Sequence, residues 1–298
     1  MEYTYDDGNR LKKVTDHTNH PEGFLDGADT NEEYLYDHYG NMVSDENKGI
    51  SQITYNHLNL PKEISFSGTP TRKISYLYNA LGQKVVKKIT NGTEITTTDY
   101  LSGFHYENEV LKFFATAEGY VNVSILINGQ YSYSYVYNYT DHLGNIRVSY
   151  TAGRGASSPP VILEENHYYP FGLKHKKYGS VDYDFVILDE ETEEGYYVGI
   201  DIVPPGVRKP YQYKYQGQEW QDELGLNWYS FKFRNYSPDL GRFWSIDPLS
   251  EDYVHNSTYA FAENRVVNSR ELEGLEAWES INNWDEKTIE KYRNYASQ

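Results

Sequence analysis

Two acidic side chains late in the sequence stand in turn-like surroundings where a carboxylate can do chemistry. Asp247 lies in Asp247-Pro248-Leu249-Ser250-Glu251, and Glu271 in Glu271-Leu272-Glu273-Gly274-Leu275. Two carboxyls that share a proton could in principle supply an acid and a base for a hydrolytic step. Such chemistry depends on position, because Glu carries one methylene more than Asp and acid–base geometry tolerates little displacement. The structural alternative is that Asp247-Pro248 caps a strand and Glu271 is an exposed charge. Arg242 and Arg265 are the candidate charge partners. Arg242, directly after Gly241, is placed to pair with Asp239 or Asp247 and so hold a turn.

Other reactive side chains carry weaker signals. His142, in Asp141-His142-Leu143-Gly144-Asn145, has an alternative as an acid or base, but a hydrogen-bonded turn histidine is the favoured reading. His17 and His20 offer a metal two imidazoles and no evident third ligand. The acidic run from Asp189 to Glu194 lacks the alternating ligands and placed glycine of a calcium loop, and reads as a solvated loop. Without any cysteine, disulfides, thiolate metal sites and a thiol nucleophile are excluded. The sequence therefore calls for no metal and no cofactor. The formal net charge of −17 counts against nucleic acid as a partner and leaves cationic partners or plain solubility as its meaning. No apolar run approaches the roughly 18 residues of a membrane span. The N-terminus has no apolar signal region and opens inside a repeat unit, as expected of a segment of a longer chain.

The elements that must position these residues are strands. Tyr3-Thr4-Tyr5-Asp6-Asp7-Gly8-Asn9-Arg10-Leu11 reads as a strand, a turn and a returning strand. Asp6 can accept backbone N–H groups across the turn while Gly8 or Asn9 takes the left-handed position. The same grammar recurs from Tyr34 to Met42, more loosely from Ile53 to Pro61, and again from Tyr76 to Val85. Each unit predicts a hairpin with one tyrosine-rich face. A lone hairpin is marginal in water, so the units must pair side by side. With 32 tyrosines and few aliphatic residues, much of the buried area has to be tyrosine, its hydroxyl reaching water or backbone. Residues 85–150 continue as alternating strands with Asn91-Gly92 and Asn128-Gly129 as hairpin turns. From 151 to 210 the pattern breaks into a linker and an acidic insertion. Residues 211–275 resume with Tyr211, Tyr213 and Tyr215 on one strand face, an alternating run from Trp228 to Tyr236, a turn at Ser237–Gly241, and a short strand stopping at Asp247-Pro248. Residues 276–298 show Trp278, Ile281, Trp284 and Ile289 at helical spacing, which predicts a short C-terminal helix.

The string YxYxGQExxxELGLxWYxFxxRxYxPxLGRFxSxDPL, followed by YAFAENRVVNSRELEGLE, resembles the C-terminal core segment that closes the β-shell of RHS-repeat (YD-repeat) proteins. The early units resemble YD repeats, and the segments at 99–106, 141–147 and 168–172 resemble further elements of that family. The resemblance implies an all-β fold in which hairpins coil into a curved or spiral sheet around a hollow, here a partial β-shell. It implies a structural part of a polymorphic toxin or cell-surface protein, secreted or surface-bound. Its partners would be a C-terminal effector, the upstream shell and an immunity or secretion partner, and residues 276–298 would be the stub of the effector region. Toxin-releasing members carry two DPxGL-type segments whose aspartates cut the chain just after the second. By that pattern Asp247 and Glu271 are the catalytic carboxylates, Leu275 marks the cleavage site, and Gly241, Arg242, Pro248 and Gly274 are structural. This sequence departs from the pattern at Glu271, Leu272 and Ser250-Glu251. Strips of aromatics with scattered carboxylates leave a third reading, a glycan-binding surface module.

Overall fold

The computed structural model describes residues 1–18, 20–153, 158–176, 182–188, 197–203 and 209–279. Among them the regular structure is strand, with only three-residue 3-10 turns as helix. Strands β1 (Glu2–Tyr5) and β2 (Leu11–Thr15) form a hairpin. Thirteen strands then form one antiparallel sheet in strict sequence order. Its first half is β3 (Tyr34–Tyr36), β4 (Met42–Asp45), β5 (Ile50–Tyr55), β6 (Pro61–Phe66), β7 (Arg72–Tyr78) and β8 (Lys84–Asn91). The second half is β9 (Glu94–Leu101), β10 (Phe104–Glu107), β11 (Val110–Thr116), β12 (Gly119–Ile125), β13 (Tyr131–Thr140), β14 (Ile146–Thr151) and β15 (Val161–Glu165). This is the all-β array of paired hairpins that the repeats predict.

One local device builds the repeated turn. Oδ1 of Asp6, Asp37, Asn56, Asn79 or Asp141 accepts the N–H groups two and four residues on. The N–H of the same residue donates to the carbonyl four residues on. The position before that carbonyl is left-handed, taken by Asn9, Gly40, Asn59, Gly82 and Gly144, residue types that reach positive φ at low cost. Register slips at the strand residue entering each turn, at Tyr5, Tyr36, Tyr55, Tyr78 and Thr140. That bulge lets five residues close without splaying the strands. Asn9, rather than Gly8, holds the left-handed place in the first turn.

Residues 211–279 fold over one face of this sheet. Strands β18 (Glu219–Gln221), β19 (Trp228–Ser230), β20 (Asn235–Ser237) and β21 (Arg242–Phe243) form a small sheet, and β22 (Ser269–Leu272) pairs with β23 (Glu276–Glu279). The alternating run from Trp228 to Tyr236 is two strands, because the N–H of Phe231 closes a turn on the carbonyl of Arg234. Leu226, Trp228, Leu240 and Trp244 pack against Ile53, Ile64, Ile74 and Tyr76 of the large sheet in one apolar cluster. Tyr211 stacks on Tyr120 with ring centroids 3.9 Å apart. Between them, the segment expected as a solvated insertion contributes a hairpin, β16 (Tyr183–Leu188) and β17 (Tyr197–Ile202). Tyr183, Phe185 and Ile200 of that hairpin pack on Phe113, Tyr120 and Leu163, so apolar burial overrides the polar composition around it. The acidic run itself lies outside the described residues. So does most of the expected terminal helix, and Trp278, its first apolar position, is in strand β23 because β22 offers it a pairing edge.

Three ionic latches join sheet and cover. Lys48 meets Asp239 at 2.9 Å. Glu219 takes Lys84 and Lys87, each at 2.6 Å, and accepts the Tyr100 hydroxyl at 2.7 Å. Lys214 meets Glu164 at 2.5 Å. Buried charges persist only when paired in this way.

Candidate functional site

The two sequence-predicted carboxylates converge on a third residue, Arg234. It ends the tight turn between β19 and β20 and is 2% exposed. Its Nη2 lies 2.7 Å from Asp247 Oδ2 and 3.6 Å from Glu271 Oε1. Its Nε donates to the carbonyl of Gly274, and its guanidinium carbon lies 3.8 Å from the centre of the Phe243 ring. The guanidinium is thus clamped by a carbonyl, an aromatic face and two acids, which fixes where the acids stand.

Asp247 reaches it from a turn. Its Oδ1 accepts the N–H of Leu249, and the N–H of Ser250 donates to its carbonyl, with Pro248 between them. Glu271 reaches it from strand β22, where its N–H donates to Gln216 Oε1 at 2.9 Å and its Oε2 accepts the N–H of Ala262 at 2.6 Å. Glu271 is 2% exposed, so the expectation of an exposed charge is wrong: the hairpin places it beneath Ala262 and Gln216. Burial pushes its carboxyl up to about 8, against the pull of Arg234. Burial raises Asp247 as well, with Arg234 and the Leu249 N–H working the other way. Burial thus favours the protonated form of both acids, and Asp247 has the closer cation to oppose it.

Asp247, Arg234, Glu271 and Leu275 line a common cavity of about 20 Å³. That is enough for one water molecule among polar partners. Gly274 packs close by, with φ +85 and a position where a Cβ would stand 3.0 Å from Phe231 Cβ and 3.3 Å from the Arg234 backbone nitrogen. The arrangement sets two carboxyls on one guanidinium beside a water-sized cavity that Leu275 also lines.

Other candidates fall elsewhere. Arg242 does not pair with Asp239 or Asp247: Lys48 takes the first and Arg234 the second. Arg242 instead donates to the carbonyl of Asn9 at 2.9 Å and lies over the rings of Tyr259 and Tyr5, tying the first hairpin to the cover. Gly241 turns beside the Phe171 ring, which a Cβ would meet at 3.0 Å. Arg265 pairs with Glu263 at 3.2 Å. His142 is an exposed turn residue 3.2 Å from the carbonyl of Val267, and His17 contacts Glu2. Among the described residues no group of three His, Asp or Glu is placed to hold a metal ion. Sequence reasoning missed Arg234, Gln216 and the Ala262 N–H. The available signal for Arg234 was a guanidinium inside an aromatic run, which demands acids if it is buried.

No family model matches the chain. Solved structures that share its architecture include three of Tc toxin assemblies. A Photorhabdus luminescens Tc holotoxin pore carrying mutated TccC3 superposes with a TM-score of 0.55 at 16% identity, over 85% of this chain and 11% of that one. The crystal structure titled TcdB2-TccC3-Cdc42 gives 0.53 at 16% identity, over 81% and 11%. The one titled TcdB2-TccC3-TEV gives 0.52 at 15% identity, over 81% and 13%. The fold is RHS-type. The RHS-type segment here thus spans a small part of each solved chain. Salivary gland surface protein 1 of Aedes aegypti is 23% identical over 255 residues, which is 80% of this chain and 6% of that protein. No helix among the described residues is long and apolar enough to cross a membrane.

Proposed function

We propose that this chain is a wall-and-seal segment of an RHS-type β-shell, with residues 211–275 as the core segment that closes it. The observation that carries this reading is the one-sided cover. Thirteen strands in sequence order present one face to a domain that is joined to them by a shared apolar cluster and three buried ion pairs. Such a sheet has an inside before anything else binds. In the protein that carries this segment, the wall encloses or displays an effector C-terminal to the core, and the assembly acts outside the cell or at its surface. Electron microscopy of that whole protein is the test. A hollow body with this sheet in its wall is expected, and a sheet appended to a solid body would remove the reading.

A second reading is favoured by the Asp247–Arg234–Glu271 cluster: a single self-cleavage after Leu275. Glu271 stands where the family pattern has aspartate, and its carboxyl accepts the Ala262 N–H and faces Arg234. Mass spectrometry of the purified chain distinguishes the readings. A fragment ending at Leu275 that disappears on Asp247→Asn supports cleavage, whereas an intact chain over days rejects it.

A further inference from the structure

The tyrosine side chains of β13 take no part in the seal or the carboxylate cluster. Tyr131, Tyr133, Tyr135, Tyr137 and Tyr139 occupy alternate positions of one strand and so project from one face. They are 37–66% exposed. Val121 and Val123 sit opposite Tyr135 and Tyr133 in the ladder and are buried. The patch extends across the sheet. Phe114 stacks on Phe104 at 5.0 Å and meets the edge of Tyr133 at 6.5 Å, while Tyr150 stacks on Tyr137 at 5.6 Å. Strand geometry makes this roughly 27 Å along β13 and about 19 Å across. Its size is at the upper end for a monomer surface, where such patches commonly mark interaction sites. Phe113, Tyr120 and Val136, which take part in the interface with residues 211–213, alternate with Phe114, Val121 and Tyr135 and lie on the opposite face.

What would lie on these rings is indicated by how the chain treats its other tyrosines. Lys84 lies over Tyr76 and Tyr100, Arg147 over Tyr168, and Arg242 over Tyr259 and Tyr5. Among the described residues no Lys or Arg lies over the five rings of β13. The aromatic face carries a negative quadrupole that attracts cations. Around it stands a chain of net charge −17, whose field draws cations in and repels a second copy of itself. We propose that the tyrosine face of β13 is a docking surface for an arginine- and lysine-rich segment of a partner protein.

The test separates ring faces from the general field. The full chain is titrated with a nona-arginine peptide at about 0.15 M salt, where long-range attraction is largely screened. It is compared with the triple variants Tyr133→Leu/Tyr135→Leu/Tyr137→Leu and Tyr133→Phe/Tyr135→Phe/Tyr137→Phe. All carry the same charge, and matching far-UV circular dichroism and melting temperature confirm that they fold. Loss of three cation–π contacts should weaken the leucine variant about tenfold or more and leave the phenylalanine variant within about threefold. Equal binding by all three chains would mean that the field alone acts, and would overturn the proposal. So would equal weakening of both variants, which would indicate contacts through the hydroxyls. A wild-type dimer in analytical ultracentrifugation that the leucine variant abolishes would also overturn it, since the face would then be covered by a second copy.

Discussion

Substituting Glu219 by Gln should detach the cover from the sheet more effectively than any surface change. The carboxylate stands between Lys84 and Lys87 at 2.6 Å each and also accepts from Tyr100. The amide is isosteric, so no cavity opens, but Lys84 loses its paired carboxylate and Lys87 loses one of two. Lys87 keeps Glu223 at 2.6 Å, whereas Lys84 keeps only the Ser230 hydroxyl at 3.2 Å as a close polar partner across the interface. Both Lys84 and Glu219 are about nine-tenths buried, so solvent screening relieves little of this. Removing one partner of a buried pair costs about 3–5 kcal/mol, a large part of a typical stability of about 5–15 kcal/mol. With a urea m-value of about 3 kcal/mol/M the midpoint should fall by about 1–1.7 M at neutral pH, read by tyrosine fluorescence and circular dichroism. The loss should shrink in acid. Burial alone would raise the Glu219 carboxyl, but Lys84 and Lys87 hold it well below the ordinary glutamate range. Its stabilisation is therefore present above the unfolded carboxyl's pKa and disappears as pH falls through the lower folded value. A midpoint shift worth less than about 0.5 kcal/mol, the range of an inconsequential surface substitution, would refute the latch.

Glu164 gives a parallel expectation by pH alone. Burial raises it, but Lys214, Lys174 and Lys209 hold it at about 2, so stability should fall between about pH 4.5 and 2, and less so in Glu164→Gln. Glu271 runs in the other direction. With a folded value of about 8, the native state keeps a proton that the unfolded chain has released, so stability should decline as pH rises from about 4.5 to 8. Glu271→Gln should flatten that decline in thermal melts, and an unchanged pH slope would mean that Glu271 is ionised in the fold. Trp244→Ala should cost about 3–5 kcal/mol by chemical denaturation, because the ring is buried between Tyr34 and Trp228.

The strands and turns were legible because their causes are local. An Asp or Asn that accepts two N–H groups within four residues, with Gly or Asn in the left-handed place, needs no distant partner, so the turns at 6–10, 37–41 and 141–145 could be read from their letters. The strand at Trp278 was not legible, because helical spacing of apolar residues says nothing about the free edge of β22 that captures it. The hairpin of β16 and β17 was obscured for a similar reason, its apolar contacts lying on Phe113 and Leu163 far away in sequence.

Asp247 and Glu271 were legible as a pair of carboxylates and no more than that. Their meeting on Arg234, the burial that raises Glu271, and the water-sized cavity beside Leu275 belong to the tertiary structure. Arg242 shows the same limit: its partner is the carbonyl of Asn9, 233 residues away, and not the nearby aspartates. The sequence by itself determined the turn grammar, the tyrosine alternation and the absence of thiol chemistry, all matters of residue type and short spacing. Only the tertiary structure decided which tyrosine face is covered and which is bare, and which charges are buried. Those outcomes depend on what residues 211–279 fold against, and desolvation takes effect only once that cover is in place.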